Sequence, residues 1–254
     1  LLIVVPLFHC FGCVLGIMSC LTHCTTAVLM TRYNPEQEME FLEQERCTAV
    51  HGVPTMFIGM LEHPSFSKFN FEHLRTGIMA GSPCPIKTMR DVTQKMHLPE
   101  LTITYGQTEC SPGMTMSRTD DPLELRVSTV GNLLPQTEGK IINPETGVEL
   151  PRGTPGEIVT RGYHVMKGYY KMPEKTAEVI DEEGWFHTGD IGMIDKDGYV
   201  YITGRIKNVI ISKGGKNIYP EEIENAILQS QYIAEAVIIG KMFDGGEMPY
   251  AIVY

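Results

Sequence analysis

The sequence predicts an α/β protein: parallel-sheet α/β layers, then a small antiparallel β subdomain, then the start of a small α+β C-terminal domain. Three observations carry this. Strand-like and helix-like segments alternate over residues 1–126, the pattern of a sheet with parallel strands. Over 127–204 the texture becomes short strands and Gly/Pro turns, such as Pro151-Arg152-Gly153-Thr154-Pro155-Gly156, which suits antiparallel strands. After Gly204 a new unit begins over 205–254, with a strand, a glycine loop, a helix and another strand.

Leu1–Val5 reads as a strand stopped by Pro6, and Gly12–Cys24 as a helix. Leu1–Met30 is mostly apolar and Arg32 is the first charged side chain. Pro6, His9, Gly12, Gly16 and His23 interrupt the run, so a buried strand and helix are expected rather than a membrane span. Asn34-Pro35-Glu36-Gln37 starts a helix, with Asn as N-cap, Pro at the first helical position and Gln at the capping-box position. That helix is expected to end near Cys47, followed by strands at Thr48–Val53 and Leu74–Met79. Gly81-Ser82-Pro83 breaks the second strand; Pro85–His97 is helical and Leu101–Thr104 is a short β-branched strand. Asp195-Lys196-Asp197-Gly198 is a turn that joins Ile191–Ile194 to Tyr199–Thr203 as a hairpin. Val209–Ile211, a helix from Pro220 and a strand Ala236–Ile239 complete the pattern.

A formal net charge of −10 argues against non-specific nucleic-acid binding, which needs clustered Lys and Arg. It leaves an anionic small substrate open, because a few local cations, backbone N–H groups and Mg²⁺ hold phosphate in an acidic protein. Seven Cys in 254 residues do not make the framework of a small secreted domain. Reduced thiols and a cytoplasmic location are expected. Cys10, Cys13, Cys20 and His23 have ligand-like spacing. At about 100° per residue, however, Cys10, Cys13, Ile17, Cys20 and Cys24 fall within an arc of ~80°, the pattern of a small-residue packing face.

Ligands of α/β sheets bind beyond the carboxyl ends of the strands. Gly81-Ser82-Pro83 and Tyr105-Gly106-Gln107-Thr108-Glu109 both follow strands. In the second segment Tyr offers a flat face for a base and Gly admits close backbone approach. Thr offers a hydroxyl for a phosphate oxygen, and Glu is a hard ligand suited to Mg²⁺. The same residues also fit an ordinary polar loop. Asp190, in Gly184-Trp185-Phe186-His187-Thr188-Gly189-Asp190, can accept from ribose hydroxyls or merely cap its turn. Arg205 and Lys207 follow Gly204 where a hinge would fall, and Gly214-Gly215 admits an extended ligand or another chain. The acids of Pro220-Glu221-Glu222 suit a helix start and are read as structural.

These runs resemble the adenylate-forming (AMP-binding) superfamily, which includes acyl- and aryl-CoA synthetases, luciferases and the adenylation domains of peptide synthetases. The matching residues also include Pro6-Leu7-Phe8-His9, Gly52-Val53-Pro54-Thr55, Gly156-Glu157-Ile158, Arg161-Gly162, Gly168-Tyr169-Tyr170 and Asn217-Ile218-Tyr219-Pro220. They occur in the family's order over nearly the whole chain, and look most like medium- or long-chain fatty acyl-CoA synthetases. The resemblance implies ATP, Mg²⁺ and coenzyme A. Gly81, Ser82 and Tyr105 would line the adenine pocket, with Pro83, Gly106 and Gln107 in the same nucleotide-binding segments. Thr108 would contact the α-phosphate, Glu109 would bind Mg²⁺, and Asp190 and Arg205 would hold the ribose. Lys207 would mark the hinge, Gly214 and Gly215 the CoA tunnel, and His9 and Gly131 the acyl pocket. Adenylation domains that activate amino acids usually place Asp after a Phe in the first motif; Phe8-His9 here favours a fatty or aryl acid. An amino-acid or aryl-acid enzyme that loads a carrier protein, or a nucleotide-binding pseudoenzyme, is the rival reading.

Lys213 and Lys216 depart from the family's commoner glycine loop. The chain lacks an initiating Met and starts and stops in the strand-like runs Leu1–Val5 and Ala251–Tyr254, so an internal piece of a longer enzyme is expected. The family's phosphate loop would precede Leu1 and its catalytic Lys would follow Tyr254. The 254-residue polypeptide alone is therefore expected to give little or no acyl-dependent pyrophosphate exchange. Robust exchange by the purified chain would overturn that expectation.

Overall fold

The computed structural model describes residues 1–254 except 83, 213–216, 229, 231, 234–235 and 244–245. Two compact units emerge: Leu1–Thr137 with Gly162–Pro173, and Glu138–Arg161 with Glu174–Tyr254.

The first unit contains β1 (Leu2–Ile3), α1 (Ser19–Thr22), β2 (Val28–Leu29), α2 (Pro35–Gln44), β3 (Ala49–Gly52) and α3 (Pro54–Leu61). It continues with β4 (Thr76–Met79), α4 (Ile86–Lys95), β5 (Glu100–Tyr105), β6 (Thr115–Met116), α5 (Leu123–Ser128) and β7 (Asn132–Leu133). The sheet order is β2-β1-β3-β4-β5-β6-β7. The pairs from β2 to β5 are parallel, and β6 and β7 add on antiparallel. This is the expected layered sheet. Because successive side chains point to opposite faces, Leu2 and Met79 enter one core with Met39, Phe57, Met60 and Met89. Ile3, Ile78 and Ala80 enter a second core with Phe11 and Cys20. A parallel sheet covered on both faces is the usual outcome.

The local signals around α2 hold. Asn34 Oδ1 accepts from Gln37 N at 2.9 Å, and Pro35 stands at the helix start. α3 was not expected from the sequence, although Pro54 supplies a helix start and Phe57 and Met60 a buried stripe. The cysteine face is corrected. Phe11–Met18 winds as a π-helix before α1, so the 3.6-residue period does not apply. The inward residues are Phe11, Gly12, Gly16 and Cys20, whereas Cys13 and Cys24 are exposed. Gly12 and Gly16 let this helix lie against Val5 and Ile3. No described helix is long and apolar enough to cross a membrane.

Two buried ionisable side chains stand out in this unit. The Arg126 guanidinium donates to the carbonyls of Pro99 at 2.7 Å, Leu101 at 2.8 Å and Asp121 at 3.1 Å. It thereby ties α5 to the entry of β5. Glu38 is fully buried beneath α2, and neither carboxyl oxygen has a hydrogen-bond partner among the described residues.

The second unit contains β8 (Thr137–Ile142), which starts at the unit boundary, then β9 (Gly156–Gly162), α6 (Pro173–Ala177), β10 (Phe186–Ile194) and β11 (Val200–Arg205). These strands form an antiparallel sheet in the order β11-β10-β9-β8. Asp195 Oδ1 accepts from Asp197 N and Tyr199 N, both at 2.9 Å, and so builds the expected turn between β10 and β11. Trp185 lies between the Lys140 ammonium, 4.2 Å from its ring centre, and the Arg161 guanidinium at 4.5 Å. Arg161 is itself held by Glu138 at 2.8 Å. Beyond β11 come β12 (Ile210–Ile211), β13 (Asn217–Ile218), α7 (Pro220–Ile227), β14 (Ala236–Phe243) and β15 (Gly246–Val253). In α7, Glu221 accepts from Asn208 Nδ2 at 3.1 Å and Glu224 from Ile238 N at 2.7 Å.

Burial pushes the Glu38 carboxyl from 4.5 up to about 8. Between these values the folded state keeps a proton that the unfolded state has released. Stability therefore falls as pH rises from about 4.5 to about 8, and this group adds no further pH dependence outside that window. Glu38→Met should melt at a higher temperature than the parent, with the gap widening from pH 5 to pH 8. A gap that does not change with pH would contradict the burial of an unpaired acid.

Candidate active site

Parallel strands send the loops that follow them to one edge of the sheet. Val4 to His9 leaves β1, Gly81 and Ser82 follow β4, and Tyr105 ends β5. Ala80 N is tied to Gly52 O at 3.2 Å, after which Gly81 and Ser82 are exposed. Pro83 lies outside the described residues.

The segment after β5 folds back on itself. Tyr105 O accepts from Met114 N at 2.8 Å, and a Cβ on Gly106 would collide with the Pro112 carbonyl. Gln107 O accepts from Cys110 N at 2.8 Å and Thr108 O from Ser111 N at 3.2 Å, closing a single 3₁₀ turn over Thr108–Cys110. The turn buries Cys110 and leaves Thr108 exposed and Glu109 half-buried. The Glu109 carbonyl accepts from Met166 N at 2.8 Å, and its Oε1 accepts from the Tyr169 hydroxyl at 2.8 Å.

His9 is exposed, and its Nδ1 accepts from Phe11 N at 3.0 Å at the entry to the π-helix. Cys10 joins two predicted residues: its Sγ lies 3.8 Å from His9 Nδ1 and 3.8 Å from Thr108 Oγ1. The sequence offered Cys10 a ligand-like spacing or a packing face, and no place beside Thr108. Gly131 stands just ahead of β7, against β6. Its φ is +79°, and a Cβ there would strike the Met116 main chain in β6. Its glycine therefore lets two antiparallel strands pair.

In the second unit Asp190 and Arg205 are cross-strand partners in β10 and β11, with Nε to Oδ1 at 3.0 Å. Asp190 is 4% exposed, whereas the Arg205 side chain is 64% exposed. The turn before Asp190 is strongly tied. Thr188 Oγ1 donates to Ile158 O at 2.7 Å and accepts from Asp190 N at 3.1 Å. Buried Glu157 accepts from Gly189 N at 3.1 Å, and its other oxygen lies 3.1 Å from His187 Nδ1. Glu157 had been read only as part of a motif. Lys207 is exposed in the 3₁₀ turn Ile206–Asn208. Gly214 and Gly215, with Lys213 and Lys216, lie outside the described residues.

A profile of the AMP-binding enzyme family matches residues 1–170. The chain belongs to this family. YngI of Bacillus subtilis (strain 168), whose name carries the provisional description acyl-CoA synthetase, is 48% identical over 236 residues. That match takes in 93% of this chain and 43% of YngI. Mouse medium-chain acyl-CoA ligase ACSF2, mitochondrial, is 41% identical, covering 92% of this chain and 38% of its own length. The ATP-bound structure of MatB from Rhodopseudomonas palustris superposes with a TM-score of 0.88 at 33% identity, over 99% of this chain and 49% of that one. The family member thus spans about half or less of the proteins it matches.

The described donors fit the groups that the family implies. Thr108 and Glu109 offer only oxygen atoms, the set a hard cation takes together with substrate phosphates. The tight packing at Gly106 should be measurable. Gly106→Ala is expected to cost about 2 kcal/mol, read as a lower urea midpoint with an unchanged slope. Gly113→Ala is the control, since its nearest neighbours to a Cβ stand at 3.4 Å. Equal midpoints for the two variants would contradict the folded-back loop.

Proposed function

We propose that this chain is the middle of an AMP-forming acid–CoA ligase that activates a carboxylic acid, most in keeping with a fatty acid. The observation that carries the reading is the Thr108–Cys110 turn, which presents a hydroxyl and a carboxylate beyond the carboxyl end of a parallel strand. In this reading residues 1–126 and 127–204 belong to the large adenylating domain, and 205–254 begin the mobile C-terminal domain.

The reaction has two steps. A substrate carboxylate oxygen attacks the α-phosphorus of ATP; the bond to pyrophosphate breaks and an acyl-adenylate forms. The CoA thiol then loses its proton and attacks the acyl carbon, and AMP departs. Gly81, Ser82 and Tyr105 border the adenine, with Gly106 and Gln107 beside them, and Thr108 donates to the α-phosphate. Glu109 holds Mg²⁺, which when bound offsets charge on the phosphates. Asp190 accepts from the ribose hydroxyls, and its pairing with Arg205 fixes the carboxylate for that task. Lys207 serves the hinge, His9 and Gly131 border the acyl group, and Gly214 and Gly215 border CoA.

The names of the relatives support an acyl-CoA product, and Phe8-His9 in place of Phe-Asp favours an acid without an α-ammonium. The seven free cysteines suit a reducing compartment, and we keep the cytoplasm as the proposed location. The test uses the full-length protein. Acid-dependent AMP release with CoA is measured across short, medium, long and aryl acids and amino acids. Medium or long fatty acids should give the highest kcat/KM, and preference for an amino acid would overturn the acyl reading. Glu109→Gln should lower Mg²⁺-dependent exchange by roughly 100-fold; unchanged activity would remove Glu109 from the site.

A further inference from the structure

Glu109 is gripped twice by a segment far along the chain. Residues Gly162–Pro173 belong to the same compact unit as the Thr108–Cys110 turn. Met166 N donates to the Glu109 carbonyl at 2.8 Å and fixes the main chain. The Tyr169 hydroxyl donates to Glu109 Oε1 at 2.8 Å and fixes the carboxylate, across 60 residues of sequence. We propose that Tyr169 is a positioning residue that aims the Glu109 carboxylate at the Mg²⁺ held with ATP. The proposal rests on the reading of Glu109 as a metal ligand.

The chemistry of the donor matters. A half-buried glutamate has three side-chain torsions, and a cation that must meet it in one rotamer pays for the loss of the others. A hydrogen bond made beforehand removes that cost. Lys or Arg could also hold the carboxylate, but would offset the negative charge that a cation needs. A phenol orients the group and leaves its charge in place. An ordinary phenol stays a neutral donor throughout the range in which a carboxylate is ionised.

The experiment compares full-length wild type, Tyr169→Phe and Glu109→Gln. Tyr169→Phe keeps the ring, and its melting temperature checks the fold. It should raise the Mg²⁺ concentration for half-maximal pyrophosphate exchange by about 10-fold, with the KM for the acid unchanged. A second readout is independent of activity: ¹³Cζ-tyrosine NMR, with Tyr169→Phe identifying the resonance. At fixed pH the Tyr169 resonance should shift in Glu109→Gln, because its hydrogen-bond acceptor changes from a carboxylate to an amide. An unchanged Mg²⁺ requirement in Tyr169→Phe, while Glu109→Gln raises it, would overturn the positioning role alone. No change in either variant would overturn the metal-ligand reading and this proposal with it. A Tyr169 resonance that ignores Glu109→Gln would likewise overturn the hydrogen bond on which the proposal stands.

Discussion

The parallel pairing of β1, β3, β4 and β5 is the constraint on which the rest of the first unit depends. Strands that run the same way must hand their following loops to the same edge. His9, Gly81, Ser82 and the Tyr105–Glu109 segment, far apart in sequence, are collected there by topology alone. The pairing in turn requires both sheet faces to be covered, and the neighbouring residues Leu2 and Ile3, which enter different cores, meet that requirement. The π-helix contributes by a small-residue approach to one face, with α2, α3 and α4 on the other.

Around this frame, ionisable groups withdrawn from water are satisfied in distinct ways. Arg126 is met by three carbonyls, none of them charged. Glu157 has a backbone N–H and an imidazole nitrogen at its two oxygens. Asp190 has a guanidinium that remains mostly in solvent. Arg126 fixes the entry to β5, and Glu157 fixes the turn before Asp190. Glu38 has no such partner and no such duty, and burial alone sets its protonation.

What the sequence made legible was local or carried by order along the chain. The α2 cap is spelled by four adjacent residues, and the β10–β11 turn by another four. The family follows from runs that keep their sequence order. Four things were hidden for physical reasons. The cysteine spacing was projected on a 3.6-residue helix, whereas the backbone there winds as a π-helix with inward residues four apart. Tyr169 and Glu109 meet only through tertiary folding, so neither residue's neighbours announce the bond. Glu38 sits where an acid normally favours a helix start, and only packing turns it inward. Cys10 was visible as a residue, but its contact with Thr108 needs the β1 and β5 loops on one edge.

The clasp of Lys140 and Arg161 around Trp185 has a use beyond holding β8, β9 and the approach to β10. Trp185 is the single tryptophan of the chain and is 8% exposed. Its fluorescence therefore reports on the second unit alone, and the first unit is silent at tryptophan excitation. Emission set beside far-ultraviolet dichroism, to which both units contribute, makes it possible to ask which of them loosens first.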